Sequence, residues 1–279
     1  MAGGFKMKDI LVHMDDSDRC GIRLDIAIGL AKQHGARLTG LFARNESHKP
    51  SAVAHQASDK LIAARDAARA LFADRTKAAG VAGRWWQLAH GEPGHVQAET
   101  MFCARYADLV VMGQIEPKAK RVPEELVEHT ILNCGRPVLV IPHTGSFPTV
   151  GERMAVAWNA GKEAVRALND AKPLMVLAKS VTVLSMHGQQ EAAASSMGEV
   201  PQVDILDHLA ACGIKADGER LAGEHIGKMD MLLSRLCDLG ADLVVMGAQG
   251  QDGGLSLTKR GSGTRYVLAH MTVPVLMSN

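Results

Sequence analysis

The sequence predicts an α/β protein made of two tandem, doubly wound domains, each with a five-stranded parallel sheet. Three observations carry that prediction. Short apolar runs of strand length, such as Leu243 to Met246, alternate along the chain with helical patterns, and their β-branched content suits strands buried on both faces. The run Ala-Asp-Leu-Val-Val-Met-Gly at residues 107–113 recurs letter for letter at 241–247. Each copy is followed, after a polar loop and a short helical stretch, by a Pro-Val-Leu strand, at Pro137 and Pro274. Alternating strands and helices with short connections place helices on both faces of a parallel sheet.

The first strand is read over residues 9–14 and ends in Asp15-Asp16-Ser17-Asp18, a polar cluster suited to capping the helix through Ile22, Ile26, Leu30 and Ala31. That helix stops near Gly35. A second strand over 36–43 leads to an alanine-rich helix over 58–79, whose Leu61, Ala64, Ala68, Leu71 and Phe72 share a face. Residues 81–88, with Trp85 and Trp86, form the third strand. A helix through Val96, Met101 and Tyr106 follows, then the fourth strand at 107–113, a helix at 124–133 and the fifth strand at 137–141.

The same order then repeats. Residues 152–159 answer the first strand, Thr182 answers Thr39, and Val273 to Asn279 answers Arg136 to Pro142. Landmarks recurring in one order mean a tandem duplication. The join falls in the Pro/Gly/Ser/Thr connection at 143–151, giving domains at 1–147 and 148–279. In the second half the pattern predicts a helix over 162–178 broken or kinked at Pro173, a loose loop over 189–200, a helix over 203–212, a strand over 215–222 and a helix over 228–239.

Composition excludes several classes. Thirty-one Lys+Arg against thirty Asp+Glu leaves no excess charge to drive binding to nucleic acid. No run approaches the roughly 18 apolar residues of a membrane span, and the N-terminal stretch lacks a signal-peptide core, so a cytoplasmic location is expected. Cys20, Cys103, Cys134, Cys212 and Cys237 are odd in number and widely spaced. They read as small buried thiols, not as disulfides or a metal site.

The chemistry concentrates after the second copy of the repeated strand. Gly247, Gly250, Gly253 and Gly254 precede Gly261-Ser262-Gly263-Thr264, which opens a helical segment through Tyr266, Val267 and His270. Glycines admit a ligand close to the backbone, and the free N–H groups of a first helical turn favour an anion such as phosphate. The alternative is a glycine-rich surface loop. His90 and His95 find no third metal ligand at a convincing spacing. The glycines are followed by Ser-Gly-Thr, not by the Gly-Lys-Ser/Thr of a P-loop, and they follow a fourth strand where a nicotinamide fingerprint follows a first. No G-x-S-x-G elbow is present.

With these residues in place, each half resembles a universal stress protein domain, and the chain is similar to the bacterial tandem members of that family. The pattern G-x2-G-x9-G-[ST] of its nucleotide-binding members is met by Gly247, Gly250, Gly261 and Ser262, with ten residues where the pattern has nine. The resemblance implies two Rossmann-like sheets in the order 3-2-1-4-5, and ATP or another adenine nucleotide as ligand, with Mg as an optional companion. By matched positions the cofactor-binding residues are Ala157, Asn159, Met186, Met246, Gly247, Gly250, Gly261, Ser262, Gly263 and Thr264. The first half keeps the family's acidic position as Asp15, but its loop, Gln114-Ile115-Glu116 onward, lacks the second glycine and the Gly-Ser pair. The second half keeps the loop but has Asn159 at the acidic position and Gly161 where Ser is usual.

The expected function is a stress-response regulator with a nucleotide in its second domain and none in its first. A non-nucleotide interaction module on the same scaffold stays open as the alternative. No general base stands near the loop, so any ATP hydrolysis would be slow and incidental. The resemblance also implies that the two fifth strands pair within the chain. No exposed apolar stripe in the sequence supports a further homodimer.

Overall fold

A computed structural model describes residues 6–46, 57–116, 119–185, 204–221, 227–249 and 262–279. The chain divides into two compact units, Lys6–Ser146 and Phe147–Ser278. In the first, the elements are β1 (Asp9–Met14), α1 (Cys20–His34), β2 (Arg37–Phe42), α2 (Asp59–Ala79), β3 (Gly83–Gln87), α3 (Pro93–Ala104), β4 (Leu109–Gly113), α4 (Leu126–Asn133) and β5 (Val138–Ile141). The second runs β6 (Arg153–Trp158), α5 (Lys162–Met175), β7 (Ser180–Ser185), α6 (Ile205–Ala211), β8 (Asp217–Arg220), α7 (Lys228–Asp238), β9 (Leu243–Gly247), α8 (Ser262–His270) and β10 (Val275–Ser278).

Within the first unit the strands lie in the order β3-β2-β1-β4-β5, all parallel. Within the second the order is β8-β7-β6-β9-β10, again all parallel. Each is therefore a doubly wound 3-2-1-4-5 sheet, as expected. Central strands are buried without alternation, Ile10 to Met14 and Leu109 to Met112 among them, because helices cover both faces. The order reverses beside the first strand of each unit, between β1 and β4 and between β6 and β9, which opens a crevice at their carboxyl ends.

The Asp of the repeated motif has a structural role that the sequence did not disclose. Asp108 accepts from the backbone N–H groups of Lys8 (2.7 Å) and Asp9 (3.0 Å). Asp242 accepts from Gly151 (3.1 Å), Glu152 (3.2 Å) and Arg153 (2.8 Å). In each unit one carboxylate clamps the entry of the fourth strand to the entry of the first, satisfying donors that precede the sheet ladder.

Helix boundaries follow local chemistry. Ser58 caps α2 by accepting from Leu61 N, and Glu92 caps α3 ahead of Pro93 by accepting from Gly94 and His95 N. Gly35 and Gly80, with φ of 64° and 67°, close α1 and α2 in the left-handed conformation. Three expectations need correction. The cluster after β1 does not cap α1: its N-cap is Arg19, without a side-chain bond, because Asp15 is turned inward toward Ser17 and Arg23. The break at Pro173 is absent; α5 runs through it to Met175, since a proline in the last turn forfeits one backbone bond just before the helix ends. Tyr106 lies beyond α3, which ends at Ala104. The loop expected at 189–200 falls outside the described residues.

No helix among the described residues is long and apolar enough to cross a membrane. The cysteines are free, Cys20 and Cys134 buried as expected but Cys237 exposed. Removing the Asp242 clamp by Asp242→Ala should lower stability by about 1.5–3 kcal/mol, since it orphans several charge-assisted bonds. Asp242→Asn, which keeps one acceptor oxygen, should lose less; urea denaturation of the full chain measures both.

Candidate functional site

In the second unit the crevice beside β6 and β9 is a cleft of about 160 Å³. It is lined by Ala157, Asn159, Met246, Gly247, Gly263 and Thr264 from the expected set, together with Glu163, Ala164, Met229 and Gln249. Ser262 begins α8 and precedes the lining residue Gly263. Met186, Gly250 and Gly261 fall outside the described residues.

Each position has a local cause. Asn159 follows β6, and its Oδ1 accepts from Gly161 N (2.9 Å), a turn that starts α5 at Lys162. Gly247 ends β9 where α5 presses on it: a Cβ there would stand 2.5 Å from Ala164 N and 2.5 Å from the Glu163 carbonyl carbon. Only glycine fits. Thr264, buried on α8, accepts through Oγ1 from Gln249 N (3.1 Å), so the first turn of α8 holds the chain leaving β9. Gln249 donates from Nε2 to Glu163 Oε2 (3.1 Å), and Glu163 also lies 3.6 Å from Lys162 Nζ. A carboxylate thus stands in the cleft from the first turn of α5, four residues beyond Asn159. Sequence reasoning missed it, because an acid in the first turn of a helix reads as an ordinary surface residue.

The same crevice in the first unit is differently furnished. Asp15 occupies the position that Asn159 holds, accepting from Ser17 N (3.0 Å) and Oγ (2.6 Å). It is ion-paired with Arg23 at 3.0 Å, both side chains buried. Arg23 lies eight residues beyond Asp15, as Ala167 does beyond Asn159, and its Nε donates to the His13 carbonyl (2.7 Å). A Cβ on Gly113 would collide with the Arg23 guanidinium. Above this floor is a cavity of about 240 Å³, with Arg19, Arg121, Gln114 and His143 among its lining residues. Gln114 Oε1 receives His143 N (2.9 Å) and Nδ1 (2.6 Å).

Charge in this floor is fixed. Burial pushes the Asp15 carboxyl up, but Arg23, His13 and the Ser17 bonds outweigh it and hold it well below the usual carboxylate range. Burial, with the charge of Arg23 added, pushes His13 down to about 4 against the opposing pull of Asp15. Its Nε2 meets the Ala43 carbonyl at 2.8 Å. Elsewhere, His90 and His95 stack at 4.0 Å between ring centroids. Among the described residues no group of three or more His, Cys, Asp or Glu could hold a metal ion.

The arrangement defines a class: a tandem α/β protein with one crevice per unit at the strand switch point. The universal stress protein family model matches residues 6–142. A universal stress protein from Archaeoglobus fulgidus DSM 4304 is similar over 99% of this chain and 99% of its own, with a TM-score of 0.73 and 18% identity. A protein of unknown function from Pseudomonas aeruginosa PAO1 is similar over 98% of this chain and 92% of its own, with a TM-score of 0.64 and 18% identity. A universal stress protein in complex with cAMP matches 50% of this chain with 100% of its own, with a TM-score of 0.38 and 23% identity. No curated protein matches the sequence. The first unit belongs to the universal stress protein family, and the second unit repeats its 3-2-1-4-5 sheet order.

His13 makes the first unit acid-sensitive. A histidine whose folded pKa lies below its unfolded value contributes stability that is complete above about 6.5 and is lost as pH falls toward about 4. Between pH 7 and pH 5 the first unit should lose on the order of 1–2 kcal/mol. In His13→Gln most of that loss should disappear, leaving the part due to His34, which burial also pushes down, as read by urea denaturation at the two pH values.

Proposed function

We propose that this protein binds ATP or a related adenine nucleotide in its second unit, as a regulatory ligand and not as a substrate. The observation that supports the reading is the convergence of Ala157, Asn159, Met246, Gly247, Gly263 and Thr264 on one cleft at the switch point of the second sheet. A backbone without a Cβ at Gly247 and the first turn of an α-helix at Ser262 suit close approach of an anionic ligand. Glu163 supplies the charged acceptor that Asn159 lacks, so a ribose hydroxyl has a carboxylate within the cleft to donate to. The first unit is read as empty of nucleotide, because its acid is already matched by an internal guanidinium.

Titration calorimetry with ATP on the full chain should show one site. Gly250→Val or Gly261→Val should largely abolish binding, through loss of charge-assisted bonds of about 1.5–3 kcal/mol each. Asp15→Asn should change it little, and Asn159→Asp should tighten it by up to about tenfold. Two equivalent sites, or binding that survives both glycine variants, would sink this assignment. No binding at millimolar ATP would favour an interaction module on the same scaffold.

Pairing of the fifth strands, Val138–Ile141 with Val275–Ser278, belongs to the same proposal. Strands introduced by proline are tolerated at edges, and such edges need cover. A fragment of residues 148–279 that sediments as a stable, folded monomer would count against it.

A further inference from the structure

The cavity of the first unit is larger than the cleft of the second, and the nucleotide reading leaves it unused. Most of its charges are already matched. Asp15 has Arg23 at 3.0 Å. Arg121 has Glu116 at 3.0 Å and Asp16 at 3.7 Å. Arg19 is different. Its Nη2 donates to two backbone carbonyls, Pro142 (3.3 Å) and Gly145 (2.7 Å), while its Nε is buried with no hydrogen-bond partner. It makes no ion pair among the described residues. A buried charged donor left in that state is costly, and an acceptor arriving from a ligand would satisfy it.

The remainder of the wall states what else the ligand must be. Met112, Ile115, Val122, Leu126, Val127 and Ile141 are among the lining residues, so the ligand carries an apolar body. Glu116 and Glu124 also face the space, and they oppose a multiply charged phosphate. The chain after β4 reads Gln114-Ile115-Glu116 and offers no glycine for close backbone approach. Lys120 also lines the cavity, its charge balanced in number by Glu124, so the lining carries one positive charge in excess, which beside an apolar wall suits one negative charge.

We propose that the cavity of the first unit binds a small organic monocarboxylate, its apolar body against the wall formed by β4, α4 and β5 and its carboxylate on Arg19. Arg23 is not the recognition group, since Asp15 and the His13 carbonyl already occupy it. The two units then hold ligands of different chemistry in equivalent crevices. Neither assignment depends on the other.

Calorimetry of the full chain with benzoate as the probe and benzamide as its neutral match tests the proposal. Benzoate should bind at one site, and benzamide at least about tenfold more weakly. Arg19→Gln should weaken benzoate by about tenfold or more and leave benzamide unchanged. Ile115→Trp, at a partly exposed point of the wall, should abolish binding of benzoate by filling the space while Arg19 stays intact; circular dichroism checks that each variant is folded. Saturating benzoate should leave any ATP titration unaltered. Absence of benzoate binding at about ten millimolar, binding indifferent to both variants, or displacement of benzoate by ATP would each overturn the proposal.

Discussion

Both crevices are governed by one constraint: the end of the fourth strand and the helix that follows the first strand approach too closely for a side chain to stand between them. At Gly247 the neighbour is the backbone of α5 itself, at 2.5 Å from a notional Cβ. At Gly113 it is the guanidinium of Arg23, borne on α1. The identical Leu-Val-Val-Met-Gly strands therefore serve two different floors. In one, backbone is exposed at the bottom of a narrow cleft, while in the other a buried ion pair seals it.

That ion pair fixes much else in the first unit. Removing two charges from water costs several kcal/mol per ion, and their attraction offsets this only where the remaining donors and acceptors are also satisfied. Here most are: Asp15 takes both Ser17 groups and Arg23 gives its Nε to the His13 carbonyl, while Arg23 Nη2 faces Asp15 at 3.0 Å as an ion pair without a well-formed hydrogen bond. The arrangement turns the acid inward, so it neither caps α1 nor offers a free carboxylate to the crevice. It also keeps the neighbouring imidazole neutral, since a second cation beside Arg23 would be buried without its own partner.

The fold was largely legible because its signals are local and repeated. Apolar runs of strand length, the duplicated Ala-Asp-Leu-Val-Val-Met-Gly and the glycines at helix ends lie in the sequence as they lie in the structure. Where the reading failed, competing partners decided. Asp15 is a good cap by composition, but an arginine one turn into the helix is a stronger partner, and sequence spacing ranks neither. Pro173 is a helix breaker in an interior turn and a mild one in the last. The candidate site was legible in its glycines, Asn159 and Thr264. Glu163 and Gln249 were not: each reads as an ordinary surface residue until α5 brings the carboxylate against the amide at 3.1 Å.

The divergence of the two halves has a physical logic that links distant changes. In the first unit Asp15 is retained, yet Arg23 stands where the second unit has Ala167, and the glycine-rich loop is replaced by Gln114-Ile115-Glu116. With a guanidinium on the floor, the Asp15 carboxylate is taken up within the protein by Arg23 and Ser17 and is not left free. Conversely, with a small Ala167 at that position the second crevice keeps its floor as backbone, and the loop after β9 retains its glycines. The two floors thus differ at one helix position, Arg23 in α1 against Ala167 in α5, and the glycines that end β4 and β9 meet different neighbours: a guanidinium at Gly113, helix backbone at Gly247.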